Sequence, residues 1–237
     1  MEKEIGILCH ISSLPSEYGV GDFGKEAYNF VDFLANNGVK IWQVLPLNQT
    51  GETNCPYLSD CYFSYDEMFF DVDDLIERKL ISKQDVANLL NLPKTRKVVY
   101  GVVKKEKHAI FEKAFSNISK ATAADLNNYL LENKDVLNYA IYKSLLEKFK
   151  VDDWRKLDRH LLDKKSNEFK EFVESNKQLI QKYGFFQYIL NEEWQKLRQY
   201  AKSKGVKILG DLPIYPSVKS FDVYDSRECF QLDDEYN

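Results

Sequence analysis

Nowhere does this chain string together the ~18–20 apolar residues that a membrane-spanning helix needs. Its opening residues, Met-Glu-Lys-Glu, lack the charged-then-apolar order of a secretory leader. Histidine is scarce, at three, and the four cysteines (Cys9, Cys55, Cys61, Cys229) show neither a C-x-x-C nor a His at zinc spacing. A metal site is therefore not expected, and a reduced, cytoplasmic protein is. Charge of one sign is also lacking: the net charge of −4 argues against a nucleic-acid partner. The Lys104–Lys107 run is interleaved with Glu106 and reads as a solvated helix face rather than a phosphate track. Glycine is the most telling shortage. Between Gly51 and Gly184 only Gly101 occurs, so that long segment has few of the turns that many short strands require.

What is there is enough to fold. Hydrophobic residues make up 44% of the 237 and charged residues 30%, the balance of a globular protein rather than a disordered one. Aromatics are abundant, with 15 Tyr, 15 Phe and 3 Trp, a surplus that suits a large core or a carbohydrate-binding cleft.

One phrase occurs twice. Residues 38–46 read G-V-K-I-W-Q-V-L-P and residues 205–213 read G-V-K-I-L-G-D-L-P. Each copy has a Gly able to take the left-handed cap after a helix, then an apolar run, then a Leu-Pro that stops the strand. This is the αβ unit of a parallel sheet. The first block, Ile5–Cys9, is a third strand and also closes on Leu-Pro, after His10-Ile-Ser-Ser. A helix is expected over Gly24–Asn37, with Asp22 as N-cap and Ala27, Phe30, Val31 and Leu34 on one face, and a strand over Ile41–Leu45.

The glycine-poor stretch carries helical patterns. Ser82 and Thr122 each open one; Asp135–Phe149 has Leu137, Ile141, Leu145 and Phe149 on a stripe; Ser166–Tyr183 has Phe169, Phe172, Val173 and Ile180. A short hairpin is expected near Val98–Val103. From Phe185 a strong stripe (Phe186, Ile189, Leu190, Trp194, Leu197, Ala201) leads to Gly205 and the strand Val206–Asp211. The division expected is 1–51 with 184–237 as the sheet-bearing part and 52–183 as a mainly helical insertion.

Gly19-Val-Gly21-Asp-Phe-Gly24 matches the dinucleotide pattern G-x-G-x-x-G. Its context does not: a loop with Pro15 separates strand from glycines, and the second strand ends in Gln43-Val-Leu-Pro where the fingerprint wants an acid. Backbone turns explain these glycines better. Tyr57, after Pro56, offers either a face for stacking on a sugar ring or a ring packed into the core. Asp211, beside a buried strand, is either a substrate-facing carboxylate or an N-cap or ion-pair partner in its loop. Asp222, Asp225 and Glu228 read as surface or turn residues. Retaining glycosyl chemistry needs two carboxylates about 5–5.5 Å apart, and no second strand-end acid accompanies Asp211.

Several phrases together resemble the N-terminal half of the amylomaltase family of 4-α-glucanotransferases (disproportionating enzymes, glycoside hydrolase family 77). They are Gly6-Ile-Leu-Cys-His-Ile-Ser-Ser-Leu-Pro15, Tyr18–Gly24, Trp42-Gln-Val-Leu-Pro-Leu47, Pro56-Tyr57 with Ser59, Phe186-Gln-Tyr with Trp194, Gly210–Tyr215, and Asp222-Val with Phe230-Gln-Leu-Asp233. They follow the family's order and spacing across nearly the whole chain.

The resemblance implies an α/β fold, an incomplete (β/α)8 TIM barrel limited to its first three strands and interrupted by the helical insertion. It implies transfer of α-1,4-glucan segments between maltodextrins through a covalent glycosyl-enzyme, with no metal or organic cofactor. It implies that Tyr57 and Asp211 line the donor-sugar subsite, with Asp211 holding hydroxyls rather than attacking. Cys55 stands where the family usually has Ser, near the acceptor side, and Gly51-Glu52-Thr53 stands where it has a Gly-Tyr-Gly type loop. The family's nucleophilic Asp, its acid/base Glu and a second essential Asp fall beyond residue 237, so no catalytic carboxylate is assigned here. The expectation is a truncated or split 4-α-glucanotransferase, inactive alone. The alternative is a non-catalytic glucan-binding or assembly module that pairs with a separately encoded C-terminal half.

Overall fold

The computed structural model describes residues 3–51, 53–93, 95 and 97–236. Glu52, of the Gly51–Thr53 loop, and Asn237 lie outside the described residues. Among those residues six short strands form two sheets: β1 (Gly6–Leu8), β2 (Ile41–Gln43), β3 (Gln49–Thr50), β4 (Leu58–Cys61), β5 (Lys207–Leu209) and β6 (Tyr215–Pro216). The chain divides into two compact units. The first gathers residues up to Leu47, Tyr65–Ile118 and Ile189–Leu212; the second gathers Asn48–Ser64, Ser119–Tyr188 and residues from Pro213 onward.

The first unit holds the parallel sheet, in the order β1-β2-β5. Both copies of the repeated phrase begin with the same helix stop. After the helix Lys25–Asn36, Gly38 takes φ +73° while its N–H reaches the Ala35 carbonyl and the Val39 N–H reaches that of Leu34. After the helix Lys177–Ser203, Gly205 takes φ +73°, its N–H reaches Lys202 and the Val206 N–H reaches Ala201. These are two Schellman motifs with buried valines at the same position. The strands that follow pair with one another, offset by one residue: Trp42 lies beside Ile208, not beside Leu209. The offset puts Trp42, fully buried, on the inner face with Ile7 and Ile208. Leu8 and Leu209 flank Gln43 on the other face and are 56% and 51% exposed, so that face of the sheet is open.

Each strand is shorter than its sequence pattern, but pairing runs one step further. The Cys9 N–H reaches the Gln43 carbonyl and the Val44 N–H reaches that of Leu209, both at 3.0 Å. The first helix buries Ala27, Val31 and Leu34 and packs Phe30 edge-on against Trp42. Its N-cap is Gly24 rather than Asp22. Asp22 is pulled inward instead, accepting from the Gly24 N–H and from the Lys107 ammonium.

Lys107 also departs from its sequence reading. The helix Tyr100–Ser116, which occupies the place expected of a hairpin, buries this lysine completely. Its ammonium donates to the carbonyls of Met68 (2.7 Å) and Phe70 (3.1 Å) and lies 4.7 Å from the Phe70 ring centre. Three oxygens and a ring face replace its water. Of the glycines in the dinucleotide-like pattern, Gly19 takes φ +84° in a turn, as the turn reading expects, and Gly21 is required by packing. A Cβ on Gly21 would stand 2.0 Å from the Ile11 carbonyl oxygen.

The second unit holds the mixed sheet β3-β4-β6, with β3 and β4 antiparallel and β4 and β6 parallel. Around it lie the helices Lys120–Glu132, Lys134–Phe149 and Asn167–Ser175. Ser119 caps the first of these by accepting from the Thr122 N–H, so Thr122 sits inside the turn it was expected to open. Ser82 opens a turn held by Asp85, and the helix there is only Ala87–Leu90. Phe63, Tyr139, Tyr142, Phe221 and Tyr224 form a continuous aromatic core. Among the described residues no helix is long and apolar enough to cross a membrane.

Candidate functional site

Ligands of parallel α/β sheets bind beyond the carboxyl ends of the strands, where loops converge and free N–H and C=O groups face outward. In the first unit that edge carries Cys9-His10 after β1, Val44-Leu45 after β2 and Gly210-Asp211 after β5. Between each strand end and its Leu-Pro stop, Asp211 is the sole carboxylate.

Asp211 is half-buried, two residues past the end of β5, and its Oδ1 accepts the Leu212 N–H at 2.9 Å. Among the described residues it caps no helix, and the contact holds the carboxylate beside the strand end. At the other edge of the sheet the Trp42 indole N–H donates to the Cys9 carbonyl at 2.7 Å. That bond ties the exit of β1 to the best-buried ring in the sheet. His10 follows in extended backbone, and its carbonyl receives the Ser13 N–H of the next turn. The imidazole meets Phe69 edge-on, 5.5 Å between centres. Burial holds its pKa down at about 4, so the ring is neutral at physiological pH.

The first unit also keeps a set of buried acids. The Asp71 N–H donates to Glu193 Oε2 at 3.0 Å, and Asp71 caps the helix Val72–Glu77 through the Asp73 N–H. Burial lifts the Glu193 carboxyl well above the usual carboxylate range and, with Asp22 nearby, lifts Asp71 to about 6. Among the described residues no group of three or more His, Cys, Asp or Glu is arranged to hold a metal ion.

Cys55 and Tyr57 belong to the second unit, in the loop that enters β4. The Leu58 N–H reaches the Cys55 carbonyl at 3.1 Å, closing a turn with Pro56 and Tyr57 at its centre. Cys55 is exposed and Tyr57 half-buried, so neither the stacking face nor the core packing open to Tyr57 has the whole ring. Downstream, Asp222 is not a surface acid. Its two oxygens accept the Tyr62 N–H at 3.2 and 3.3 Å, fixing the exit of β4. The structure thus brings Cys55 and Tyr57 together in one turn and sets Asp211 in the other unit. His10, present in the sequence only as part of a motif, stands two residues past the end of β1, the same offset that Asp211 has from β5.

A family profile described as 4-alpha-glucanotransferase matches residues 9–236. The 4-alpha-glucanotransferase of Aquifex aeolicus is 38% identical over 231 residues, covering 96% of this chain and 46% of the relative. That of Clostridium butyricum is 34% identical, covering 95% and 47%. The solved amylomaltase of Streptococcus agalactiae, in complex with acarbose, superposes with a TM-score of 0.90 at 31% identity, over 99% of this chain and 48% of that one. The chain therefore spans just under half the length of the relatives it matches.

Proposed function

Because the chain belongs to the 4-alpha-glucanotransferase family, we propose that it is a glucan-holding part of an enzyme that moves α-1,4-glucan segments between maltodextrins with retention of configuration. The observation that carries this reading is the carboxyl edge of the parallel sheet, where Asp211 stands as a single, backbone-fixed acid. Retention requires two carboxylates about 5–5.5 Å apart, so one strand-end acid suits the holding of sugar hydroxyls better than bond cleavage. In the same proposal Tyr57 gives a sugar ring a stacking face, and Cys55 stands beside the acceptor. β1, β2 and β5 are then the first three strands of an incomplete (β/α)8 barrel made by residues 1–51 and 184–237, with 52–183 inserted. The substrates are α-1,4-glucan oligosaccharides of the starch and glycogen type, and the compartment is the cytoplasm, where the free thiols stay reduced.

A second reading, an assembly module that pairs with a separate C-terminal half, is favoured by one observation: the exposed Leu8 and Leu209 on the open sheet face. Two measurements separate these. The purified chain incubated with maltotriose is expected to release no glucose and no longer maltodextrins; robust disproportionation overturns the division of labour proposed. Calorimetry with maltoheptaose is expected to show binding that weakens in Asp211→Asn and Tyr57→Ala, and a chain that binds no glucan is left with the assembly reading.

A further inference from the structure

Among the described residues nothing bonds either ring nitrogen of His10, yet the ring is held on one side by Phe69, its carbonyl receives the Ser13 N–H, and the Cys9 carbonyl just before it receives the Trp42 indole N–H. Its Nδ1 is sealed from solvent without a partner. Nε2 carries no such seal, and the imidazole as a whole is half-buried. Most buried polar side-chain atoms keep a hydrogen-bond partner, so a sealed nitrogen without one carries a cost that packing alone would remove. The tautomer follows from which orphan is cheaper. Burying an N–H without an acceptor costs more than burying a lone pair, so the proton sits on Nε2. His10 therefore offers one neutral N–H donor at the carboxyl edge of β1.

We propose that His10 is a sugar-contact residue, its Nε2–H donating to a hydroxyl of the α-1,4-glucan that Asp211 also holds. The inference rests on the glucan-holding reading above. β1 and β5 lie on either side of β2, so the two strand exits stand about 10 Å apart at the usual strand spacing. That separation places them on different parts of an oligosaccharide rather than on one hydroxyl. A neutral donor also complements Asp211, a carboxylate acceptor, since sugar hydroxyls need both kinds of partner.

The test uses two variants of the whole chain. His10→Phe keeps a ring against Phe69 without either nitrogen; His10→Gln keeps an N–H donor at about the reach of Nε2. The Phe variant is expected to melt higher, having lost the buried orphan, while its Kd for maltoheptaose rises about three- to tenfold, the loss of one neutral hydrogen bond. The Gln variant is expected to recover most of the affinity. In the wild-type protein, imidazole nitrogen shifts should move on adding maltoheptaose, a readout that needs no variant to fold. An unchanged Kd in His10→Phe, a Gln variant as weak as the Phe variant, or an unmoved Nε2 shift overturns the assignment. If Asp211→Asn weakens binding while His10→Phe does not, only the histidine is wrong; if the wild-type chain binds no maltoheptaose, the glucan-holding reading falls with it.

Discussion

At the scale of single residues, the groups that decide behaviour are the buried ionisable ones. Glu193 is fully enclosed, receives the Asp71 N–H, and has Asp71 and Asp74 as acidic neighbours opposed by the cation of Arg78. Its folded pKa lies well above its unfolded value, so the native state holds a proton that the unfolded chain gives up. Stability from this group is complete below the unfolded pKa and is lost as pH rises toward the folded one, at about 1.4 kcal/mol per pH unit. Asp71, lifted to about 6, loses stability in the same direction over a lower and narrower range. Glu193→Gln should therefore gain on the wild type as pH climbs from 5 to 8, measured by urea midpoints at each pH. A constant difference across that range would mean that Glu193 is ionised in the fold. None of this was legible in the sequence. Glu193 and Lys107 sit in runs of charge that look solvated, and what makes them special is supplied from afar: carbonyls of Met68 and Phe70 for the lysine, the Asp71 N–H for the acid. Charge runs report composition; burial is decided by whichever element packs on top.

Elements were far more legible, because their stops are local chemistry. The Gly-Val-Lys-Ile phrase announced a helix end and a strand in both places, and both Schellman caps formed, since the left-handed φ needs only the glycine itself. The hairpin expected near Val98–Val103 failed for the opposite reason. Its β-branched run is short, and the helix that replaces it is held by contacts such as Val103, Ile110 and Phe111, all buried. Of the candidate site, the strand-end position of Asp211 could be read from its local sequence, while the surroundings of the His10 ring could not, because Phe69 comes from a remote segment. The glycines give a graded test. At Gly38 and Gly205 a Cβ would meet nothing within 4 Å, so alanine costs only the backbone conformation, about 1–2 kcal/mol at each. At Gly21 the new atom would fall 2.0 Å from a backbone oxygen that cannot rotate away. Gly21→Ala is expected to cost about 3 kcal/mol or more. Equal losses at the three positions in chemical denaturation would refute the separation of strain from collision.

At the scale of the whole molecule, the open sheet face governs solution behaviour. Leu8 and Leu209 lie at the carboxyl end of that face with only Gln43 between them, and Leu212, 71% exposed, follows on the same strand exit. The polar end of the face is guarded differently, by Lys207 in an ion pair with Glu4 at 2.8 Å. Among the described residues β1 and β5 each present an unpaired edge beside these leucines, the combination from which edge-to-edge association grows. A net charge of −4 on 237 residues supplies little repulsion to oppose it. The chain is therefore expected to self-associate with rising concentration, seen as a growing apparent mass in light scattering. Leu8→Lys combined with Leu209→Lys should hold it monomeric. Both side chains already face water in the fold, so the double variant should keep its thermal midpoint within the change expected of about 0.5 kcal/mol at each surface site. Self-association unaltered by the two lysines would place the sticky surface elsewhere. A large fall in midpoint would mean that the two leucines are buried in solution by contacts of the chain with itself, and the open face would then be closed in the isolated protein.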